Sequence, residues 1–290
     1  MKIMLATDGS DYARHAENVL AQLPLPSPIE LKIVTSCPSA DLHELHGIPE
    51  GIHGLVDECR QKSREILEQS AARCRETFPQ LSCDLLDGHP AEEVILAARQ
   101  WGADLVVIGA RGLGAVSRFF LGSTSDRIAQ HAPCAVLVVR PGEDSSAPLE
   151  RFMLAYDGSP AADAAAERLL SLPLTAAQSV HIRSVIETAP WGSTSSVATQ
   201  VYAYLESQLK PKLDQLVHRF SEQRVNASAS LQVAHQVADD LLEVASRQQA
   251  DLLIMGSVGK SAWQRLLLGS VTLRVLHHAP CSVWIEHLKK

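Results

Sequence analysis

The chain is written twice. WGADLVVIGARG at 101–112 returns as QQADLLIMGSVG at 248–259, and HAPCAVLVVRP at 131–141 returns as HAPCSVWIEHL at 278–288. Asp104 and Asp251, Gly109 and Gly256, Gly122 and Gly269, and Pro133 and Pro280 share one offset of 147 residues. MLATDGS and MLAYDGS put Asp8 and Asp157 149 residues apart, so one copy is slightly shorter in its middle. A repeat of this length means two copies of one domain, each built around its own core. The seam falls in the polar stretch PGEDSSAPLE, which gives a first domain at 1–141, a linker at 142–150 and a second domain at 151–290. So short a linker predicts that the copies lie against each other.

Within a copy, apolar runs alternate with helical patterns. The first reads as strand KIMLAT, helix 10–22, strand ELKIVTS, helix 54–77 and strand LSCDLL. Helix 90–101, strand DLVVIG, a glycine loop, helix 123–131 and strand AVLVVR complete it. DLVVIG is apolar on both faces, as in a parallel sheet covered by helices on each side. The fold class is therefore α/β: two tandem, doubly wound, five-stranded parallel-sheet domains of Rossmann-like type. Ligands of such sheets bind beyond the carboxyl ends of the strands, where the strand order reverses.

Composition narrows the function. The formal net charge is −7 and no basic block exceeds a pair, which argues against a nucleic-acid partner. There is no run of 18 apolar residues, so no membrane span is expected. The start MKIMLATDGS is broken by Asp8 and reads as a buried strand, not a signal peptide. Six scattered cysteines without a CxxC pair then suit reduced thiols in the cytoplasm.

Two loops stand at the expected ligand face of each copy. One is the Asp-Gly-Ser at the end of the first strand. The other is GxxG-x9-G[ST]: Gly109, Gly112, Gly122, Ser123 and Thr124 in copy one, and Gly256, Gly259, Gly269, Ser270, Val271 and Thr272 in copy two. The glycine pair permits a sharp turn and close approach of backbone to a ligand. The last Gly-Ser opens a helix whose N–H groups and dipole favour an anion. Gly259-Lys260-Ser261 imitates the end of a P-loop, but Met255 stands where that loop requires glycine, and the helix opens at Gly269. The GxGxxG fingerprint is missing too, because GARGLG has the wrong spacing.

The repeated element order, the strand-end Asp-Gly-Ser, the GxxG-x9-G[ST] loops and the HAPC lead into the last strand resemble the universal stress protein family, as two tandem copies over nearly the whole chain. The resemblance implies the ATP-binding branch, with Mg2+ accompanying the phosphates and the glycine loop holding ribose and phosphates. It sets Asp8 and Asp157 beside the nucleoside, with Thr7 and Tyr156 just before them. Thr35-Ser36 and Ser184-Val185, at the second-strand ends, would contact adenine. It also implies a dimer paired through the last strands, which a tandem chain would form internally as a pseudo-dimer, with a further homodimer left open. The protein partner is not specified.

A carboxylate at a strand end suits ribose hydroxyls, although Asp-Gly-Ser before a helix also reads as a cap. Arg111 is placed to fork onto a phosphate or to be solvated, and copy two has Val258 and then Lys260. Copy two also replaces the exit Gly88-His89-Pro90 with His235-Gln236-Val237, a departure from the family's usual glycine. His43, Glu44, His46 and His53 lack zinc-protease spacing and lie among glycines, so 41–53 reads as a lid rather than a metal site, and its counterpart 187–199 as a second mobile connection. Cys134 and Cys281 read as small core residues. With no nucleophile elbow, kinase set or acid/base pair, the chain is expected to be a nucleotide-dependent stress-response regulator that works by occupancy. The alternatives are a slow ATPase or self-phosphorylating enzyme using Ser123, Thr124, Ser270 or Thr272, and a scaffold for another small molecule.

Overall fold

A computed structural model describes residues 1–37, 50–112, 121–141, 147–188, 196–259 and 268–288. Two compact units emerge, Met1–Ser146 and Ala147–Lys290. The first contains β1 (Lys2–Ala6), α1 (Asp11–Gln22), β2 (Glu30–Cys37), α2 (Glu50–Cys74) and β3 (Leu81–Asp87). It continues with α3 (Pro90–Trp101), β4 (Leu105–Gly109), α4 (Ser123–His131) and β5 (Ala135–Val139). The second repeats this order with β6 (Arg151–Ala155), α5 (Pro160–Leu170), β7 (Ser179–Glu187), α6 (Ser196–Glu222) and β8 (Asn226–Ala234). It ends with α7 (Val237–Arg247), β9 (Leu252–Gly256), α8 (Ser270–His278) and β10 (Ser282–Glu286).

The strand order is β3-β2-β1-β4-β5 in the first unit and β8-β7-β6-β9-β10 in the second, and every pairing within each is parallel. The order reverses between β1 and β4 and between β6 and β9, so each switch point coincides with the two loops named above. Ile3, Met4, Leu5, Val106 and Val107 are wholly buried, as a sheet covered on both faces demands. In the first unit α1 and α2 pack together on one face, and α3 and α4 on the other.

α2 starts at Glu50, just after Pro49, and takes in Gly51 and Gly54. The glycines make that turn read as loop, yet long-range packing of this helix on β2 and β3 outweighs their poor propensity. The 41–49 part of the expected lid, with His43, Glu44 and His46, lies outside the described residues, as do the linker core 142–146 and most of 187–199. Among the described residues no group of three or more His, Cys, Asp or Glu side chains is placed to hold a metal, and no helix is long and apolar enough to cross a membrane.

One buried charge secures the α1–α2 contact. Glu17 accepts from Ser70 Oγ at 2.6 Å and from Arg73 Nε and Nη2 at 2.5 and 3.0 Å. Glu17→Gln keeps the shape but removes the charge that fills those bonds. It should lower the stability of the first unit by about 2 kcal/mol in urea unfolding.

Candidate functional site

The carboxyl ends of β1, β2 and β4 and the start of α4 enclose a cavity of about 400 Å³. Three loops build it. Beyond β1, Thr7 N–H extends the ladder to Val34 O at 2.9 Å. The chain then turns at Gly9, whose φ of +75° is left-handed; Gly158 repeats it at +73°. Asp8 Oδ1 accepts from Ser10 N at 3.0 Å, an Asx turn that fixes the carboxylate. The cap of α1 is Ser10, whose Oγ accepts from Ala13 N at 3.2 Å. Ser159 caps α5 in the same way, with Asp157 Oδ1 accepting from Ser159 N at 2.9 Å. The aspartates therefore sit two residues ahead of the capping position and orient the turn.

The two glycines of GxxG have different causes. A Cβ on Gly109 would lie 2.8 Å from the backbone carbonyl of Tyr12, and one on Gly256 would lie 2.6 Å from that of Ala161. These first glycines let α1 and α5 press on the strand ends, a packing demand that spacing alone does not reveal. A Cβ on Gly112 would collide with Asp8 Oδ2, and one on Gly259 would stand 2.9 Å from Asp157 Oδ2. The second glycines thus bring the loop backbone against the strand-end carboxylate.

The helix that follows opens at Gly122, which offers no side-chain cap; Gly269 repeats this at α8. Gly122 N donates to Ala110 O and Gly269 N to Ser257 O, both at 2.8 Å, pinning each helix start under its glycine loop. Ser123 and Thr124 line the cavity in the first turn of α4, where N–H groups have no acceptor within the helix. Ser125 lines it too, its Oγ shared between Ala110 O at 2.8 Å and Gly122 O at 2.9 Å. In the second unit Thr272 is buried, and its Oγ1 donates to Gly256 O at 3.1 Å, which makes it a brace for the loop.

Arg111 is buried rather than solvated. Its Nη1 lies 3.3 Å from Tyr12 Oη and its guanidinium 5.6 Å from the Tyr12 ring centroid, and the side chain lines the cavity. Thr35 and Ser36 reach the cavity from β2, with Ser36 Oγ donating to Gly88 O at 2.7 Å. In the first unit the anticipated set therefore converges: Thr7, Asp8, Thr35, Ser36, Gly109, Arg111, Gly112, Gly122, Ser123 and Thr124 all line one space. Sequence reasoning missed its apolar wall, Val34, Pro90 and Val94. Pro90 and Val94 are one helical turn apart at the start of α3, so the 3.6-residue period after Gly-His-Pro carries the signal.

The second unit differs at the matched places. Arg183 occupies the register position of Val34, facing Ala155 as Val34 faces Ala6. Asp240 stands at the position of Glu93, and Arg183 grips it with Nε–Oδ1 and Nη2–Oδ2 contacts of 2.6 Å, plus Nη1 to Ser230 Oγ at 3.0 Å. Tyr156, buried at the place of Thr7, donates to Asp163 Oδ1 at 2.5 Å. Burial and then that carboxylate hold its phenol well above its ordinary pKa. Ser184 Oγ is fully buried with no hydrogen-bond partner among the described residues, and Val185 is half-buried beside it on β7. Gly256, Gly259, Gly269, Ser270 and Val271 keep the glycine-loop arrangement, whereas Lys260 lies outside the described residues.

The profile of the universal stress protein family matches residues 1–140 and again 148–287. A universal stress protein of Thermus aquaticus is 36% identical over 141 residues, covering 48% of this chain and 97% of its own. One from Mycolicibacterium smegmatis is 32% identical over 192 residues, covering 63% of this chain and 61% of its own. Among solved structures, a universal stress protein from Archaeoglobus fulgidus superposes with a TM-score of 0.70 at 20% identity, covering 99% of this chain and 96% of that one. At that identity the likeness is one of fold.

Proposed function

The chain belongs to the universal stress protein family, and from that premise we propose that its first unit binds ATP, with Mg2+, and acts by occupancy as a nucleotide-dependent stress-response protein of the cytoplasm. The observation that carries this reading is the contact of Asp8 with Gly112. It joins the strand-end acid, the glycine loop and the N-terminus of α4 in one cavity. A volume of about 400 Å³ is within the range of small-molecule sites. Val34, Pro90 and Val94 supply an apolar slot of the kind a purine ring fills. Asp8 accepts hydrogen bonds from ribose hydroxyls. The first-turn N–H groups of α4 and the guanidinium of Arg111 receive phosphate oxygens.

The donor set also fits the metal. Asp8, the single carboxylate among the described lining residues, is assigned to the ribose, so Mg2+ would be held chiefly by the nucleotide's phosphates and water, with the Ser123 and Thr124 hydroxyls as the protein's oxygen ligands. Bound there, Mg2+ supplies charge neutralisation for the polyphosphate. Arg183, Asp240 and Tyr156 stand where the first unit keeps Val34, Glu93 and Thr7. We therefore assign one nucleotide per chain, in the first unit.

Native mass spectrometry and thermal melting of the full chain test both statements. Millimolar Mg-ATP should add one nucleotide mass per chain and raise the melting midpoint, by about 2.7 kcal/mol of stability when ligand stands at 100 times Kd. Failure to bind or shift defeats the nucleotide reading. Two nucleotides per chain defeat the assignment to one unit.

A further inference from the structure

All six cysteines are thiols, and two of them are in contact: Cys37 Sγ, at the end of β2, lies 2.9 Å from Cys59 Sγ on α2. We propose that Cys37 and Cys59 form a site of reversible oxidation, closed to a disulfide by a hydroperoxide, that ties α2 to the rim of the first unit's cavity. A disulfide bond is about 2.05 Å long, so closure asks the sulfurs to approach by less than ~1 Å. Exposure divides the roles. Cys59 is partly exposed and meets the oxidant, whereas Cys37, 1% exposed, waits beneath it.

The chemistry balances with a hydroperoxide as the only co-reactant. Cys59 Sγ attacks the terminal peroxide oxygen and breaks the O–O bond; the thiol proton leaves with the departing alcohol or water. The product is a sulfenic acid on Cys59. Cys37 Sγ attacks that sulfur, the S–O bond breaks, and the hydroxyl departs as water with the Cys37 proton. Two thiols lose two electrons and the peroxide gains them. A dithiol reductant reverses the bond by exchange.

The remaining thiols are differently placed. Burial, reinforced by the Glu17 carboxylate, pushes Cys74 up to about 12, so little reactive thiolate exists there. Cys83 is exposed on β3, but burial of its sulfur still raises its pKa. The second unit has Ile186 where the first has Cys37, so the device belongs to the unit that holds the cavity.

Its position gives it a mechanical role. Cys37 follows the lining residues Thr35 and Ser36, and its carbonyl accepts from Gly88 N at 3.1 Å while Gly88 O accepts from Ser36 Oγ. Pro90, two residues on, is part of the cavity wall. On the other side α2 carries Ile66, which backs Gly9 in the Asp8 turn. A bond between Cys37 and Cys59 therefore ties α2, which backs the Asp8 turn, to the strand end that lines the cavity, and it does so whatever ligand the cavity holds.

The test treats the full-length protein with a modest excess of hydrogen peroxide, traps remaining thiols, and maps a non-reducing digest by mass spectrometry. The expected product is a Cys37–Cys59 linked peptide, released by dithiothreitol, with a melting midpoint raised by roughly 5 °C in the oxidised protein. Cys59→Ser removes both the linked peptide and the rise, and Cys83→Ser, a control outside the pair, retains both. Overoxidised Cys59 with Cys37 still a thiol, or disulfides through other cysteines only, overturns the proposed site. A Cys37–Cys59 bond that leaves the midpoint unchanged or lowers it overturns the mechanical role.

Discussion

Gly112→Ala should abolish most nucleotide binding while leaving the fold intact. Gly112 is not among the glycines held at positive φ, so alanine meets no backbone penalty there. The new methyl group meets Asp8 Oδ2, and because Asp8 Oδ1 is committed to Ser10 N, the carboxylate cannot simply rotate away. Either the acid leaves its turn or the glycine loop lifts from the cavity; both separate the ribose acceptor from the phosphate donors. Losing one hydrogen-bonded charged contact is worth roughly 1.5–3 kcal/mol, a weakening of about 10- to 100-fold. Isothermal titration with Mg-ATP measures it, and a melt without nucleotide serves as the control. A variant that melts like the wild type and still binds at full strength would break the link between the Asp8–Gly112 contact and the ligand. Asp8→Asn, which keeps the turn and loses the charge, should fall between the two.

Much of this site is legible in the sequence because it is local. Asp8 to Ser10 is one turn, Gly122 to Ser125 is another, and the offset of 147 residues repeats the second at Gly269. The parallel sheet is equally local in origin, since alternating apolar runs and helical stretches admit few topologies. What spacing cannot show is the partner that makes a residue necessary. Gly109 and Gly112 look alike in a motif, yet one is bare because Tyr12 backbone crosses it and the other because Asp8 does. Likewise the capping reading of Asp8 and Asp157 gives way to Ser10 and Ser159, because only coordinates reveal which oxygen faces the helix N–H. Arg183 hides most completely. In a strand reading VHIRSVIE it passes for an outward-facing charge, and its meaning depends on Asp240, 57 residues away. His43, His46 and Lys260, which the sequence also singles out, lie outside the described residues.

Asp240→Ala is the second large effect, here on stability. Arg183 is 8% exposed, and both its contacts with Asp240 are short, so its charge is balanced in place and cannot turn to water. Removing the carboxylate strands a buried guanidinium with, among the described residues, only the Ser230 hydroxyl as acceptor. Uncompensated buried charge of this kind costs about 3–5 kcal/mol. Urea unfolding should therefore show the second unit failing first. The pair itself is another matter, because the first unit closes the same fold with Val34 and Glu93 at these places. Arg183→Val combined with Asp240→Ala removes both charges and fills the strand position as the first unit does. Most of the loss, to within about 1 kcal/mol, should then be recovered. Should the double variant stay as unstable as Asp240→Ala, the cost would lie in lost packing and not in a stranded charge. Recovery would instead mean that the second unit carries the ion pair at no structural necessity. The reason for it would then lie in what Arg183 and Asp240 keep out of, or hold at, the end of β7.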